Sequence, residues 1–382
     1  MTVTPCPSIE IEGPADVRGR QYGRLAGERI AAGVRHYTEQ LNRAEFGATA
    51  LRDAVAELLP LIDGFDAGFV PEMRAIAAGA EQPFEHIVLL NARTELLQIA
   101  RRRKVARGGA DEDPDGCTGL VVLPAATRAG RLIHAQNWDW KAECAETAIV
   151  LKVAADGDKP ALMTFTEAGA LGRCGFNAAG IAITANYLES DRDYSQSGVP
   201  LALIRRKVLE QQHLALAMRA VYCTGKAASN NMIVSHAQGI VIDFECAPDE
   251  TFQVQAQNGL LVHANHWQSA VALAKLKDTG ISATPDSLYR DLRVRELLAP
   301  SLGHIEIGHV KAALFDRFGG DWAVCRPPRR TLSNNLSASV AMVVMEPAAG
   351  TMEVAMLPAL NREFRRYTLE TRFQPVVAEV AA

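Results

Sequence analysis

The chain has 382 residues, of which 48% are hydrophobic and 22% charged, and its formal net charge at pH 7 is -4. This composition is typical of a globular protein with a sizeable core, and the small charge gives no indication of nucleic-acid or anionic-membrane binding. No apolar stretch is long enough for a transmembrane helix, and the N-terminus lacks a secretory pattern. The seven scattered cysteines form no CxxC pair or zinc-finger spacing, and phosphate-binding glycine motifs are absent from the sequence. We therefore expect a cytoplasmic protein with reduced thiols, no metal, no cofactor, no nucleic-acid partner and no membrane contact.

The N-terminal third is predicted to be helical. Ile30, Val34, Tyr37 and Leu41 fall on one face of a helix, and similar periodicity recurs twice before residue 101. Glycines precede this face at every fourth position, at Gly19, Gly23 and Gly27. Because glycine lowers helix stability, three in register predict a close approach to another backbone.

The stretch RRRKVARGGADEDPDG, residues 101–116, has almost nothing to bury. It combines a basic run, a glycine pair, an acidic run and a proline, which is typical of a hydrated loop. The basic run could form a nucleic-acid patch, but a hydrated helix end is the favoured interpretation. We therefore expect a mobile linker over 101–116.

From Cys117 the pattern changes to short apolar runs that are rich in β-formers and separated by Gly, Pro, Asn or Asp. The runs are LVVL, AIVLKV, GIAITA, MIV, IVIDF, VAMVVM and EVAML. Several are apolar at consecutive positions, as expected for strands that are covered on both faces. Helical stretches such as PLALIRRKVLEQ and HVKAALFDRF interrupt them. This alternation predicts a layered α+β sandwich with helices outside the sheets.

Cys117 opens the first of these strand runs and directly follows Gly116. A cysteine beside an apolar run is usually a core residue, but a preceding glycine can adopt a strained backbone that favours attack by the thiol on its carbonyl. An N-to-S acyl shift and hydrolysis would then split the chain. Cys117 would emerge with a free α-amine of pKa about 8, which can serve as the general base for its own thiol.

The segment RLIHAQNWDW, residues 131–140, is predicted to be the return strand of a hairpin that begins at Cys117. Its end combines amide, carboxylate and aromatic side chains, at Gln136, Asn137, Trp138, Asp139 and Trp140. The two tryptophans are two residues apart and lie on one face of a strand. From spacing alone, a structural role for these residues is an equal alternative to a catalytic one.

DGCTGL, followed a hairpin later by AQNWDW, resembles the acyl-coenzyme A:6-aminopenicillanic acid acyltransferase (isopenicillin N acyltransferase) family of self-cleaving N-terminal-nucleophile hydrolases. Carcinine and β-alanyl-dopamine hydrolases are similar to that family. The likeness extends through NARTEL, GFNAAGIAITANYL, HANHW and the last strand pair, VAMVVMEPAAGTMEVAML. It covers most of the chain in the right order.

The resemblance implies a four-layer αββα sandwich that forms a single domain over residues 1–382 and is made as a zymogen. Cleavage between Gly116 and Cys117 would give a helical chain, 1–116, and a catalytic chain, 117–382. The two chains would stay together as a heterodimer.

Carried over position by position, the resemblance implies Cys117 as the nucleophile, Asp139 as the residue that orients it, and Asn265 of HANH as the donor to the oxyanion. Donors aimed at that developing charge typically contribute a few kcal/mol. Five further residues are expected to line the pocket: Thr118, Asn137, Trp138, Asn186 and Tyr187.

One difference from the family concerns its substrate. The penicillin-forming enzymes use a Ser-Arg pair shortly before the last strands, where this chain reads TLSNNLSASV, and Arg329 and Arg330 lie too early for that pair. We therefore expect hydrolysis of a small N-acyl or N-aminoacyl amide through a Cys117 acyl-enzyme, with transfer from an acyl-coenzyme A thioester as the second choice.

Other classes of protein remain open. Bile-salt and penicillin V acylases also use an N-terminal cysteine but expose it after minimal processing, and the long helical region upstream argues against them. An uncleaved relative that binds a ligand without turnover would keep Cys117 as a core thiol. His263 and His266 form an HxxH pattern, but on a strand this spacing places them on opposite faces without a carboxylate motif, which favours structural histidines.

Overall fold

The computed structural model describes residues 3–106, 116–330 and 336–371. Its α-helices are α1 (Ala15–Arg43), α2 (Ala48–Phe65), α3 (Phe69–Gly79), α4 (Phe84–Asn91), α5 (Arg93–Ala106), α6 (Leu201–Leu209), α7 (Leu214–Tyr222), α8 (Ala270–Leu273), α9 (Asp286–Leu298) and α10 (Ile307–Leu314). Its strands are β1 (Ser8–Ile11), β2 (Cys117–Val122), β3 (Ile133–Lys141), β4 (Ala148–Val153), β5 (Leu162–Glu167), β6 (Cys174–Asn177), β7 (Ile181–Tyr187), β8 (Asn230–His236), β9 (Ile240–Cys246), β10 (Thr251–Val254), β11 (Leu260–His263), β12 (Arg329–Arg330), β13 (Leu336–Glu346), β14 (Thr351–Met356) and β15 (Arg365–Thr368).

The strands form two sheets. The first has the order β1-β4-β5-β6-β7-β8-β9-β10 and is antiparallel except where β1 pairs in parallel with β4. The second has the order β11-β2-β3-β13-β14-β15, with β12 paired to β13. The hairpin predicted from Cys117 onward is the β2–β3 pair, in which Cys117 lies opposite Trp138.

Alternate residues of a strand point to opposite faces of a sheet, and the second sheet uses both faces. Leu120 and Val122 of β2 pack with Val294 and Leu298 of α9 on the outer face. Val121, between them, packs inward with side chains from both sheets, namely Ile233 and Leu261. The consecutive apolar runs are therefore strands that are buried on both sides, as predicted.

The outer face of the first sheet carries the N-terminal helices together with α6 and α7. The predicted helix face of Ile30, Val34, Tyr37 and Leu41 is buried in α1 and shares one hydrophobic cluster with strands of that sheet. Helices thus cover the outer side of each sheet, and the predicted four-layer αββα sandwich is confirmed.

The glycine repeat in α1 marks where α1 crosses α3. A Cβ built on Gly19 would lie 2.5 Å from the carbonyl oxygen of Glu72, and one on Gly23 would lie 2.3 Å from that of Ile76. Gly27 differs, because a Cβ there would meet no atom within 4 Å. The prediction of a close backbone approach is therefore correct for the first two glycines and wrong for the third.

The prediction of a linker over residues 101–116 is wrong for its first six residues. Residues 101–106 belong to the last turns of α5, whose basic side chains rest on protein: Arg102 lies over the Tyr194 ring and Arg103 over the Phe46 ring. Residues 107–115 lie outside the described residues. In the described part of the chain, no helix combines the length and apolarity needed to cross a membrane.

Candidate active site

Cys117 is the first residue of β2 and lies in the wall of a cavity of about 120 Å³. Only 7% of the residue is exposed. The cavity lies between the helical N-terminal region and the two sheets, since its wall also includes Thr94, Leu97, Trp138 and Tyr187. The predicted nucleophile is therefore at a strand edge and faces a pocket.

The peptide group that joins Gly116 to Cys117 is hydrogen-bonded at both ends. The carbonyl oxygen of Gly116 accepts the backbone N–H of Asp139 at 2.9 Å. The N–H of Cys117 donates to Oδ1 of Asn265 at 2.8 Å. All three residues with predicted catalytic roles thus meet at this one peptide group.

Asn265 is held by contacts on both sides of its amide. Its Oδ1 also accepts Nη2 of Arg290 at 2.9 Å, and its Nδ2 donates to the carbonyl oxygen of Tyr187 at 2.8 Å. Arg290 is fully buried and donates from Nη1 to the Cys117 carbonyl oxygen at 2.7 Å. In this arrangement the amide oxygen of Asn265, not its NH₂ group, faces the Cys117 backbone nitrogen, and one N–H of that NH₂ group is committed to Tyr187.

Asp139 is fixed from the next strand of the sheet. Its Oδ1 accepts the hydroxyl of Ser339 at 2.5 Å, and its Oδ2 lies 3.3 Å from Nε of the buried Arg326. The Ser339 hydroxyl in turn accepts the backbone N–H of Arg326 at 2.8 Å. The register of β13 against β3 shifts directly after Ser339, and such irregularities often orient side chains next to active sites.

Two arginines share one carboxylate behind the Gly116–Cys117 peptide. Asp286 Oδ2 is 2.8 Å from Nε of Arg290 and 2.5 Å from Nη2 of Arg326. Although burial alone would raise it, the pKa of Asp286 lies below its ordinary value because both guanidinium groups stabilise the carboxylate. Asp286 therefore stays charged and holds both cations beside the peptide.

Gly116 is favoured by the limited space around it, not by an unusual backbone. Its φ is not among the positive ones, so the strained conformation expected from the sequence is not present. A Cβ on Gly116 would instead lie 3.0 Å from each of three polar atoms, on Arg290, Arg326 and Asn265. The tight fit of these groups around the carbonyl explains the glycine.

The thiol of Cys117 has a raised pKa in the uncut chain. Burial is the main cause; the nearby Arg173 opposes it and Asp139 adds to it. Arg173 Nη2 lies 3.9 Å from the sulfur, and its guanidinium group stacks 4.1 Å above the Trp138 ring. A thiol in this setting is largely protonated at neutral pH, so its attack on a carbonyl has to be accompanied by transfer of the thiol proton to another group.

The pocket wall is strongly cationic. Its basic members are Arg93, Arg101, Lys104, Lys141, Arg173 and Arg205, whereas Asp139 is its acidic member. Arg101 and Lys104 come from the basic run that was interpreted from sequence as a hydrated helix end. The helix end is confirmed, and these two residues additionally line the pocket.

Of the five expected pocket residues, Trp138 and Tyr187 line this pocket. Thr118 is next to Cys117 on β2, and Asn137 is next to Trp138 on β3, so both point to the opposite face of the sheet. There the hydroxyl of Thr118 accepts Nη1 of Arg290. The NH₂ group of Asn137 donates to the carbonyl oxygens of Leu314 and Val324.

Asn186 also lies outside the pocket wall. It lies between the two sheets, where its Oδ1 accepts Nε2 of Gln136 and its Nδ2 donates to the carbonyl oxygen of His263. It therefore connects the sheets beneath the site.

Sequence reasoning missed the arginines of the site and Ser339, which the chain brings in from distant segments. One signal was available: Asp286 and Arg290 are four residues apart on a helix, the spacing at which opposite charges meet. The CRPP segment at 325–328 offered a weaker signal, an arginine at the end of an apolar stretch. Arg173 and Arg205 had no signal beyond being basic residues within apolar segments.

The HxxH pair does not form a metal site. His263 ends β11 and stacks on His266 with ring centroids 6.1 Å apart, so the expected opposite orientation is wrong because the strand does not continue past His263. His263 is hydrogen-bonded to Glu245 and His266 to Ser287. Within residues 3–106, 116–330 and 336–371, no cluster of three or more His, Cys, Asp or Glu side chains could hold a metal ion.

Two sheets between helical layers, with a cysteine at the start of an inner strand and facing a pocket, form an N-terminal-nucleophile hydrolase sandwich. A family profile described as Acyl-coenzyme A:6-aminopenicillanic acid acyl-transferase matches residues 126–356, more than half of the chain. The chain belongs to this family, and it is an enzyme of the amidohydrolase and acyltransferase type that acts on amide bonds. The matched region includes Asp139 and Asn265 and begins after Cys117.

Similar proteins are found among curated sequences and solved structures. The 40 kDa form of acyl-coenzyme A:6-aminopenicillanic-acid-acyltransferase from Emericella nidulans is 28% identical over 298 residues, which span 76% of this chain and 77% of that protein. A mutant conjugated bile acid hydrolase from Clostridium perfringens shows 13% identity and a TM-score of 0.44, over 66% of this chain and 92% of that one. Penicillin V acylase from Agrobacterium tumefaciens shows 15% identity and a TM-score of 0.42, over 66% and 86%.

Proposed function

We propose that the chain is a self-processing amidohydrolase. Cys117 first cuts the Gly116–Cys117 peptide and then forms an acyl-enzyme with a small N-acyl or N-aminoacyl amide. The observation that carries this proposal is the setting of the Gly116–Cys117 peptide, which borders the pocket with its carbonyl oxygen bound by Asp139 and its N–H bound by Asn265.

Self-cleavage begins when the sulfur of Cys117 attacks the carbonyl carbon of Gly116. Negative charge then develops on an oxygen that already accepts the Asp139 N–H, and the guanidinium groups of Arg290 and Arg326 are next to the same glycine. The C–N bond breaks, the thiol proton ends on the Cys117 nitrogen, and a thioester remains. Water hydrolyses the thioester, which releases the Gly116 carboxylate and restores the thiol.

Cleavage supplies the base that the buried thiol needs. The new α-amine of Cys117 has an ordinary pKa of about 8, so near neutral pH it can accept the thiol proton. Oδ1 of Asn265, which accepts the Cys117 N–H in the uncut chain, is suitably located to orient that amine. This geometry supports the N-terminal-nucleophile mechanism, in which amine and thiol belong to one residue.

In turnover the thiolate attacks the substrate carbonyl, the amine of the substrate leaves with a proton from the Cys117 ammonium, and water hydrolyses the thioester. We propose that Asn265 donates to the oxyanion through the second N–H of its NH₂ group, since the first is donated to Tyr187. Asp139, whose carboxylate accepts the Ser339 hydroxyl, holds in place the end of β3 that is paired with Cys117.

The two products of cleavage are expected to stay together as one domain. Residues of the N-terminal helices, among them Ile30, Leu89 and Leu96, are fully buried in the same cluster as Ile149 and Phe165 of the first sheet. Strand β1 also pairs with β4 across the cut. Separation would expose this shared core to water, which is unfavourable by roughly 25 cal/mol for each Å² of apolar surface.

Acyl transfer is the second candidate function. It is favoured by the family and by the name of the Emericella nidulans relative, an acyltransferase. The same acyl-enzyme would then pass its acyl group to an amine instead of water. Adding a primary amine during turnover distinguishes the two functions, since a transferase forms the new amide and a hydrolase forms the free acid.

The intact mass of the purified protein, measured under denaturing conditions beside Cys117→Ala, tests the proposal. We expect two fragments that meet at Gly116/Cys117 in the native chain and one uncut chain in the variant. Cys223→Ala is a matched control, because Cys223 is exposed and does not line the pocket, and it should be cut like the native chain.

A native chain that stays whole through long incubation would contradict self-processing and favour a ligand-binding protein without turnover. Full amidase activity after confirmed alkylation of Cys117 would contradict the acyl-enzyme.

A further inference from the structure

Two arginines of the pocket lack a carboxylate partner. Among the ion pairs of the described residues, none includes Arg173 or Arg205, although both line the pocket with Cys117. Arg173 is only 6% exposed, and Nε of each side chain is buried without a hydrogen-bond partner. Burying a guanidinium group without an anionic partner is costly, and the contacts of Arg173 with the Trp138 ring and with Oε1 of Gln136 are to neutral groups.

The neighbouring cations show the ordinary arrangement. Arg93 pairs with Glu167 at 2.7 Å, Arg101 with Glu189 at 3.1 Å, and Arg206 with Glu210 at 2.8 Å. The absence of an ion pair therefore distinguishes Arg173 and Arg205 from these three arginines. It is not a general feature of this region.

The two guanidinium groups also repel one another. Burial and the like charges of Arg173 and Arg93 lower the pKa of Arg205 to about 10, even though Glu95 opposes the shift. In the part of the chain that the structure describes, Glu95 forms no ion pair with Arg205, and burial raises the pKa of its carboxyl, which disfavours the charged form that could neutralise Arg205. An anion bound in the pocket beside Arg173 and Arg205 would offset this repulsion.

We propose that Arg173 and Arg205 form a carboxylate-binding subsite, so that the substrate is an amide that carries a carboxylate close to its scissile bond. This assignment rests on the proposed function, in which Cys117 attacks a carbonyl in the same pocket. The guanidinium fork binds the two oxygens of a carboxylate in a planar arrangement. With Nη2 of Arg173 only 3.9 Å from the sulfur, the bound carboxylate and the scissile carbonyl belong to one small molecule.

Ligand binding to full-length Cys117→Ala tests the subsite without any turnover. The probes are butyrate and the neutral, similarly shaped butyramide, at matched ionic strength, and inorganic phosphate as a second anion. We expect butyrate to raise the melting temperature, as a ligand of the folded state does, with butyramide and phosphate giving smaller shifts. Calorimetric titration gives the corresponding affinities.

Arg205→Met and Arg173→Met, each in the Cys117→Ala background, remove one charge and keep the apolar stem. Each should weaken butyrate binding about tenfold or more, the effect of losing a charge-assisted hydrogen bond. Without ligand, Arg205→Met should be as stable as its parent or more stable, because it removes an unpaired charge. Arg219→Met, on the exposed part of α7, is the control and should bind butyrate like the parent.

Equal binding of butyrate and butyramide, unchanged butyrate affinity in both Met variants, or tighter binding of phosphate than of butyrate would each overturn the carboxylate subsite. These results do not depend on the proposed function, since Cys117→Ala neither cuts nor turns over. If the native chain cleaves itself but Cys117→Ala does not bind butyrate, the carboxylate subsite would be wrong and the proposed function would be unaffected.

Discussion

Ser339 holds the carboxylate of Asp139 from the neighbouring strand, and it is the side chain by which the positioning of Asp139 can be tested. Its hydroxyl donates to Oδ1 of Asp139 at 2.5 Å and accepts the N–H of Arg326 at 2.8 Å. A hydrogen bond to a buried charge contributes about 1.5–3 kcal/mol. Ser339→Ala should therefore slow cleavage at Gly116 by about 10- to 100-fold, measured as the rate at which fragments appear by mass spectrometry.

Ser282→Ala is the control for Ser339→Ala, because Ser282 is exposed on a loop, and it should leave the cleavage rate unchanged. Thermal unfolding of both variants shows whether the fold survives. Cleavage at the native rate in a folded Ser339→Ala protein would mean that Asp139 does not need this hydrogen bond.

Residues with a local pattern are the ones that the sequence could predict. Cys117 follows a glycine at the start of a strand, and Asp139 and Asn265 belong to short motifs that resemble those of the family, so a role for each could be predicted from the sequence. Arg290, on a helix, is 173 residues from Cys117, and Ser339, on a strand, is 200 residues from Asp139. Such contacts depend on which strands become neighbours, and a single sequence does not contain that information.

The contact of α1 with α3 depends on glycines at the element scale. A methyl group on Gly23 would lie 2.3 Å from the carbonyl oxygen of Ile76, which belongs to a helix backbone and cannot move aside alone. Gly23→Ala should therefore destabilise the protein by about 1–3 kcal/mol, as overpacking does. Gly27→Ala, in the same helix, meets no atom within 4 Å and should stabilise it by about 0.5–1 kcal/mol, because alanine favours the helix.

Chemical denaturation of the two alanine variants measures both free energies of unfolding. Equal stability of Gly23→Ala and Gly27→Ala would show that the helices can separate at no cost. The repeat predicted a close approach, but it did not identify α3 as the partner. That partner is set by Gly79 on the facing helix, where a Cβ would lie 2.5 Å from the carbonyl oxygen of Arg20.

At the scale of the whole molecule, the layers of helices and sheets could be predicted from the sequence, but the order of strands within each sheet could not. Doubly buried strands and interspersed helices required sheets covered by helices. The apolar pattern could not indicate that β1 pairs in parallel with β4. Nor could it indicate that β11, which follows β10 of the first sheet along the chain, pairs with β2 of the second sheet. Those pairings are set by long-range packing, and they bring Asn265, which follows β11, next to Cys117.

A buried charge cluster connects the two sheets near this point and should make the stability of the protein depend on pH. His263 of β11 lies 2.8 Å from Glu245 and 3.7 Å from Asp243, both on β9. Burial disfavours the charged imidazole, but the two carboxylates outweigh it and raise the pKa of His263 from 6.5 to about 9. The cation is thus part of the folded structure at neutral pH.

The sign of the pH effect follows from that raised pKa. The stability due to protonated His263 is fully present below pH 6.5, decreases as pH rises, and is lost above about pH 9. At about 1.4 kcal/mol per pKa unit, it amounts to about 3 kcal/mol at most. Measurements start at pH 7, because burial raises the pKa of Asp243 to about 6 and that carboxyl titrates below this range.

The melting temperature of the native chain should therefore exceed that of His263→Gln most at pH 7, and the difference should shrink by pH 9.5. His304→Gln is the control, since His304 is exposed, and its difference from the native chain should stay constant over the same range. A native advantage over His263→Gln that is independent of pH would mean that His263 joins the sheets as a neutral hydrogen-bonding group. In that case Asp243 and Glu245 would have to share a proton, because two adjacent buried carboxylates cannot both remain charged without a cation.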